Sequence, residues 1–525
     1  MPLSPRQESG WCGQFRFRST LPPTVASLYQ ANHRLILATC LLLVFRLISA
    51  VLIELTPQEA YYWNYALHPA LSYFDHPPFV AWVIDAGYFL LGKSAFAIRI
   101  GGIVLTVLST GLLYLLGTLW FGQRAGLWAA LLFQLVPLFF VYGVLITPDV
   151  PLVFFWLLTL YFLSRAVRDQ RPDLWYLAGV AMGFCLLSKY PAVFLAFSAF
   201  LFLLADARYR PWLARKEPYL AACIALLIFT PVILWNIRHH WASFNFQVTD
   251  RMNVETARPL RRFMEFVLMQ LGVTSPVLLA GLILTPAIPM SFGLKLRRTR
   301  WRFALIFALP LLIFLLGYST RAAIKANWPA PAYLTLLIAA YPAYRYLRFN
   351  SGPRSRSVAG KFVTIWLWAL PVMYLGAIYH SIVVFPGVPV HHWTTGWREM
   401  GDIVRAEADK LEASDGKRVF LLGLDTHYVA SALTFYAGDK HPVFSRNLVG
   451  KRALAFEYWR PDPEPIGWNA VAVDFEPPVT EMLKRYFVRV DDQPERVPIR
   501  RGDRLLHYVY LVHCYGYKGK GSGTA

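Results

Sequence analysis

Six short segments place ionisable side chains beside prolines and aromatics, and each could take part in acid–base or phosphate chemistry. They are Gln58-Glu59-Ala60-Tyr61-Tyr62-Trp63, Tyr73-Phe74-Asp75-His76-Pro77-Pro78, Thr147-Pro148-Asp149-Val150-Pro151, Ser188-Lys189-Tyr190-Pro191, Trp235-Asn236-Ile237-Arg238-His239-His240-Trp241 and Lys325-Ala326-Asn327-Trp328-Pro329. Between them they supply carboxylates that can accept a proton from a hydroxyl. They also supply cations that can hold an anionic leaving group. Each residue has a plainer reading as well. Glu59 suits the first turn of a helix opened by Pro57, Asp75 a turn and Asp149 a helix cap. Lys189 could snorkel to a membrane boundary, and Arg321 and Lys325 could meet lipid headgroups. His239 and His240 fit an aromatic interfacial helix better than a metal site.

The elements that must position these groups are mostly apolar. Of 525 residues, 56% are hydrophobic, 16% aromatic and only 16% charged, against about 25% charged in a soluble domain. Runs long enough to cross a bilayer fall near 35–53, 97–120, 125–145, 150–165, 174–188, 191–205, 218–236, 264–290, 302–318, 328–346 and 362–384. That predicts about eleven transmembrane helices, several of them short. Segment 79–92, interrupted by Asp85, reads as a helix at the interface. Residues 35–384 thus form a membrane body, preceded by a polar, basic segment 1–34 expected on the cytoplasmic side as the flank of an uncleaved signal anchor.

Charge supplies the orientation. Residues 1–383 carry 33 Lys+Arg against 13 Asp+Glu, whereas residues 384–525 carry 19 against 18. With the N-terminus inside, the inner loops hold 22 basic residues and the outer loops before residue 384 hold 10, as the positive-inside rule requires. The basic excess therefore reports topology and not nucleic-acid binding. The chemistry-bearing segments then share the outer side, together with residues 385–525. That tail reads as a small α/β domain, with helices at 397–411 and 428–436 and after Pro477-Pro478, and strands at 419–424, 470–475 and 506–512. Five cysteines, three of them in apolar spans, make no disulfide framework and no Cys-x-x-Cys metal spacing. No cofactor motif is present, and a divalent metal stays open.

Gln58-Glu59-Ala60-Tyr61-Tyr62-Trp63, Phe74-Asp75-His76-Pro77-Pro78-Phe79, the Gly92 to Arg99 stretch, Leu145-Ile146-Thr147-Pro148-Asp149-Val150-Pro151 and Leu186-Leu187-Ser188-Lys189-Tyr190-Pro191 follow one another in a distinctive order. In that order the chain resembles the polyprenyl-phosphate-sugar-dependent glycosyltransferases of the protein O-mannosyltransferase superfamily (family 39-like, GT-C fold), which includes the bacterial aminoarabinose transferases of lipid A. The segments around Trp235 and Lys325 extend the resemblance to about residue 345, and Ala430 to Tyr436 is also similar. The resemblance implies an all-α polytopic enzyme of a bacterial inner membrane with its active site on the periplasmic face. It would move a sugar by single displacement from a polyprenyl phosphate to a lipid, glycan or protein acceptor. In the family this region opens with an Asp-Glu pair whose Asp is taken as the base. Here that position is Gln58, so the base is expected at Glu59 first, then Asp75 or Asp149. His76, Lys189, Arg321 and Lys325 are expected to bind the donor phosphate. A secondary transporter or lipid flippase is the alternative. It fits less well because the polar groups sit at span ends and no internal repeat is visible.

Overall fold

The computed structural model describes residues 25–251, 258–274, 295–350, 353–383, 394–459 and 461–519. Within them the chain builds a helical body: α1 (Val25–Leu52), α2 (Pro57–Leu67), α3 (Phe79–Leu91), α4 (Ala95–Phe121), α5 (Gln123–Leu135), α6 (Pro137–Val144), α7 (Asp149–Arg168), α8 (Asp173–Ser188), α9 (Val193–Ala205), α10 (Glu217–Arg238), α11 (Ala242–Asn245), α12 (Pro259–Thr274), α13 (Lys295–Ile306), α14 (Leu309–Ser319), α15 (Ala330–Asn350) and α16 (Pro353–Val383). Among the described residues five helical stretches are long and apolar enough to cross a membrane: His33–Leu52, Ala95–Phe121, Asp149–Arg168, Glu217–Arg238 and Thr299–Ser319. Their outward faces are apolar. On α1, Leu37, Leu41, Val44 and Ile48 are exposed at helical spacing, which only a hydrocarbon solvent rewards. The chain is a multi-pass membrane protein.

Several expected spans have a different form. The run 125–145 is not one helix but α5 and α6, bent by 67° at Val136-Pro137, because Pro137 has no N–H to continue the ladder and clashes with the turn before it. A carbonyl that the break exposes is taken up by another helix. The Tyr374 hydroxyl donates to the Leu135 carbonyl, and Arg46 Nη2 adds a bond to the Phe139 carbonyl within α6 at 3.2 Å. Such repair is what permits broken helices inside a membrane. Arg46 needs Gly143 opposite it, since a Cβ there would lie 2.3 Å from Nη1. Helices α8 and α9, at 16 and 13 residues, are shorter than the ~20 residues of a straight crossing. The 13 residues of α3 are also too few to span. The run 264–290 is described only to Thr274, and segment 1–34 and the boundary at 384/385 fall largely outside the described residues.

The tail forms the small domain its pattern predicts. Helix α17 (Trp397–Asp415) leads into β1 (Val419–Gly423), α18 (Tyr428–Tyr436), β2 (Val443–Ser445), β3 (Asn469–Asp474), α19 (Thr480–Lys484), β4 (Phe487–Val490), β5 (Glu495–Arg501) and β6 (Arg504–Tyr517). The strands lie in the order β2-β1-β3-β6-β4, with β5 also on β6. The first three are parallel and β6 is antiparallel to its neighbours. One face of the sheet packs under α17 and α18 through Val419, Leu421, Val471 and Val473. The other buries Phe420, Leu422, Ala470 and Ala472, as strict alternation requires. The short β2, β4 and β5 carry no pattern strong enough to predict.

Body and tail are one packed unit. Leu55, Tyr61, Trp63 and Tyr65 of the body share a core with Ala430, Ala455 and Phe456 of the tail. Glu54 anchors the junction by accepting from the backbone N–H groups of Gly396 and Trp397 at 3.2 and 3.0 Å and pairing with Arg501. The Tyr436 hydroxyl donates to the Leu55 carbonyl at 3.1 Å. What positions the chemistry is this junction between α2, the loop after it and the tail.

Candidate active site

Helix α2 starts where it does because Pro57 fits a first helical turn and Thr56 caps it. The cap is a capping box. Glu59 Oε2 accepts from the Thr56 N–H and hydroxyl, both at 3.0 Å. The same carboxylate is clasped by Arg99 of α4, Nε to Oε1 at 2.7 Å and Nη2 to Oε2 at 2.6 Å, and Oε1 takes the Ile146 N–H at 3.1 Å. Arg99 spends its other protons on the carbonyls of Ala50, Ile53 and Glu54. Both side chains are wholly buried. Glu59, the first expectation for the base, has no lone pair left for a substrate. It fastens α2 to α4 and to the turn before α7, which corrects that expectation in favour of the helix-terminus reading.

Asp75 has different surroundings. The loop after α2 folds it under the helix, where Tyr61 donates to Oδ1 at 2.9 Å and Tyr65 donates to the same oxygen. Among the described residues Oδ2 has only His76 Nε2, 3.9 Å away. Burial pushes the Asp75 carboxyl above its ordinary value, opposed by the Tyr65 and Tyr61 hydroxyls. A carboxylate with a raised proton affinity and a free oxygen is suited to general-base work. His76 is driven well below its ordinary value, by burial first and then by Lys189, Arg251, Lys325 and His427. It is therefore neutral, and its Nδ1 has no partner among the described residues.

Asp149 opens α7 but does not cap it. Its two oxygens take Lys189 Nζ at 2.8 and 2.9 Å, and Asn327 Nδ2 donates to Oδ2 at 2.6 Å. Lys189 stands at the end of α8, so the pair ties α7, α8 and the loop before α15 together. The Lys325 side chain, two residues from Asn327, is exposed and makes no hydrogen bond or ion pair among the described residues. Desolvation, then the positive charges of Lys189 and Arg251, lower its proton affinity, while Asp75 and Asp149 oppose them. One recess thus holds Asp75, His76, Asp149, Lys189 and Lys325, five of the seven residues expected from sequence. Arg321 is exposed and joins none of them among the described residues.

Three contributors carry no decisive sequence signal. Arg251 stacks over Phe246 at 4.6 Å and Trp328 at 5.6 Å and donates to Gln247 Oε1 at 2.9 Å. Asn327 lies within a segment the sequence singles out, although its bond to Asp149 does not follow from spacing. His427 comes from the tail and packs on Tyr61 with ring centroids 4.4 Å apart. Burial, then Lys325 and Arg446, pull its proton affinity down to about 3. Gln58 sits beside the Tyr62 hydroxyl. A separate trio with ligand-like spacing, Asp409, Glu412 and His441, lies on the tail, where Lys440 Nζ already contacts Asp409 at 2.5 Å and Glu412 at 3.8 Å.

Residues 75–235 match the family described as dolichyl-phosphate-mannose-protein mannosyltransferase. Among curated proteins the chain is 25% identical to the lipid A galacturonosyltransferase RgtD of Rhizobium johnstonii, over 56% of this chain and 62% of that protein. It is also 25% identical to the lipopolysaccharide core galacturonosyltransferase RgtB of the same organism, over 57% and 61%. The chain thus spans about three fifths of the length of these relatives. Its structure superposes on ArnT from Cupriavidus metallidurans bound to undecaprenyl phosphate with a TM-score of 0.62 and 18% identity, covering 92% of this chain and 98% of that one. The chain is thus similar in sequence to lipid A and lipopolysaccharide galacturonosyltransferases and similar in fold to ArnT.

Proposed function

We propose that this protein transfers a sugar from a polyprenyl-phosphate donor to a glycolipid of the lipid A or lipopolysaccharide type. The observation that carries the reading is a carboxylate with a free oxygen, Asp75, facing the same recess as two cations, Lys325 and Arg251, that no carboxylate neutralises among the described residues. The acceptor hydroxyl gives its proton to Asp75 as its oxygen bonds to the anomeric carbon. The bond from that carbon to the phosphate oxygen breaks, and polyprenyl phosphate leaves with the electron pair. Lys325 and Arg251 meet the charge that develops on the phosphate, with neutral His76 as a hydrogen-bonding partner beside them. Asp149 and Lys189 hold the recess in shape and add no net charge. The relatives' substrates and the undecaprenyl phosphate bound by ArnT support the substrate classes. The basic bias of the loops supports an orientation with the tail and recess outside, and the resemblance to the bacterial lipid A transferases supports a bacterial inner-membrane location with about eleven spans.

The test is sugar transfer by the purified protein in nanodiscs, given lipopolysaccharide and either a polyprenyl-phosphate sugar or a nucleotide sugar. Only the lipid-linked donor should add a single-sugar mass to the acceptor, and turnover with the nucleotide sugar alone overturns the reading. Running the reaction with a chelator decides whether a divalent cation takes part.

A further inference from the structure

On the far side of the tyrosine wall from Asp75 lies a second cleft, of about 480 Å³. The loop 68–74, the end of α10 and the tail segment 455–459 enclose it. Its walls are ordered aromatic planes. Trp459 stacks on His68 with centroids 4.6 Å apart and 12° between planes. Trp235 stacks on His239 at 4.0 Å and 14°, and Tyr458 stands edge-on to both at 5.4 Å. Arg238 lines the same cleft, exposed and without a hydrogen bond or ion pair among the described residues. Tyr73 forms part of the wall, and its ring lies 4.0 Å from that of Tyr65, the residue that donates to Asp75.

We infer that this cleft binds an anionic saccharide, the sugars of the acceptor beyond the one that reacts, an inference that rests on the transferase reading above. Sugar rings present flat C–H faces that pack on aromatic planes, and fixed planes with few polar groups are how small-ligand clefts set orientation. An unpaired arginine among those planes selects a phosphate or carboxylate substituent. Lipid headgroups are the competing occupant at a membrane boundary. An aromatic belt faces outward toward lipid, however, whereas here Tyr458 of the tail packs edge-on against Trp235 and His239, and Trp459 and Ala455 of the tail line the cleft beside it. The position, one aromatic layer from Asp75, lets a branched or extended acceptor seat its distal sugars while its hydroxyl reaches the recess.

The experiment uses full-length protein in nanodiscs and the oligosaccharide of deacylated lipopolysaccharide as probe, with binding followed by calorimetry in the absence of donor. Wild type should bind it, and Arg238→Gln and Trp235→Ala should each bind about tenfold more weakly, the scale of an anchor residue. Trp235→Phe should retain most of the affinity. In the transfer assay Arg238→Gln should raise KM for lipopolysaccharide and leave donor KM and kcat unchanged. No binding by wild type, undiminished binding by Arg238→Gln and Trp235→Ala alike with no change in acceptor KM, or displacement by phosphatidylglycerol vesicles overturns the proposal. Failure of the transferase reading would show separately, as absence of transfer by wild type whatever the cleft binds.

Discussion

Glu59 and Asp75 are both buried carboxylates on one short stretch of chain, and their surroundings give them opposite work. Glu59 accepts five hydrogen bonds, two from Arg99, two from Thr56 and one from the Ile146 N–H. A carboxylate with every lone pair occupied and its charge matched cannot receive a proton from a substrate. Asp75 has one oxygen held by two phenols and the other nearly bare. Burial outweighs the two phenols and the charge of Arg251 and leaves its proton affinity raised. Burial alone therefore does not mark the reactive group; the number of unmade bonds does.

Glu59→Gln should have the largest effect, and on folding more than on chemistry. It leaves Arg99 charged and uncompensated in the interior, a change of about 3–5 kcal/mol. The measurement is the yield of folded protein in detergent and its thermal midpoint. A well-folded but inactive Glu59→Gln would reverse the two roles. Asp75→Asn comes next and should behave conversely, with turnover down about 10²–10⁴-fold and a thermal midpoint and donor affinity near wild type. If Asp75→Asn keeps near-normal turnover, the base is elsewhere.

Lys325→Ala should act more mildly, raising KM for the lipid-phosphate donor about tenfold, the range of one charge-assisted contact. Donor titrations at saturating acceptor read this directly, and an unchanged donor KM removes Lys325 from the phosphate site. The smallest effect concerns pH. The folded-state pKa of Asp75 lies above its ordinary 3.8, so the protonated form is favoured by folding. Its contribution to stability is full below 3.8 and is lost as pH rises through the folded value. Activity runs the other way, since the base works ionised. The acid limb of kcat/KM should fall at a pH above the ordinary carboxylate value and vanish in Asp75→Asn. A limb at or below 3.8 contradicts the raised affinity.

The local signals in this chain were strong where one residue type settles geometry. Pro57 after Thr56 sets the start of α2, and the short apolar runs within Val419–Gly423 and Asn469–Asp474 make strands. Asp75, Asp149, Lys189 and Lys325 stood out because charge at the end of an apolar run is costly unless it is used. Pro137 was visible as well, yet the apolar run around it concealed the 67° bend, since hydropathy measures solvent preference and is blind to backbone direction.

Sequence by itself determined the solvent of each region, the helical body, the sheet in the tail and the set of ionisable groups available for chemistry. Those follow from composition and from periods of two to four residues, which are local. Tertiary structure alone decided which groups meet. It gave Arg99 to Glu59, 40 positions apart, Asn327 to Asp149 across 178 positions, and His427 of the tail to Tyr61 of the body. Pairings at that separation depend on how helices pack and where the tail docks, and no short-range pattern encodes them. The difference between a saturated carboxylate and an available one is made at that level.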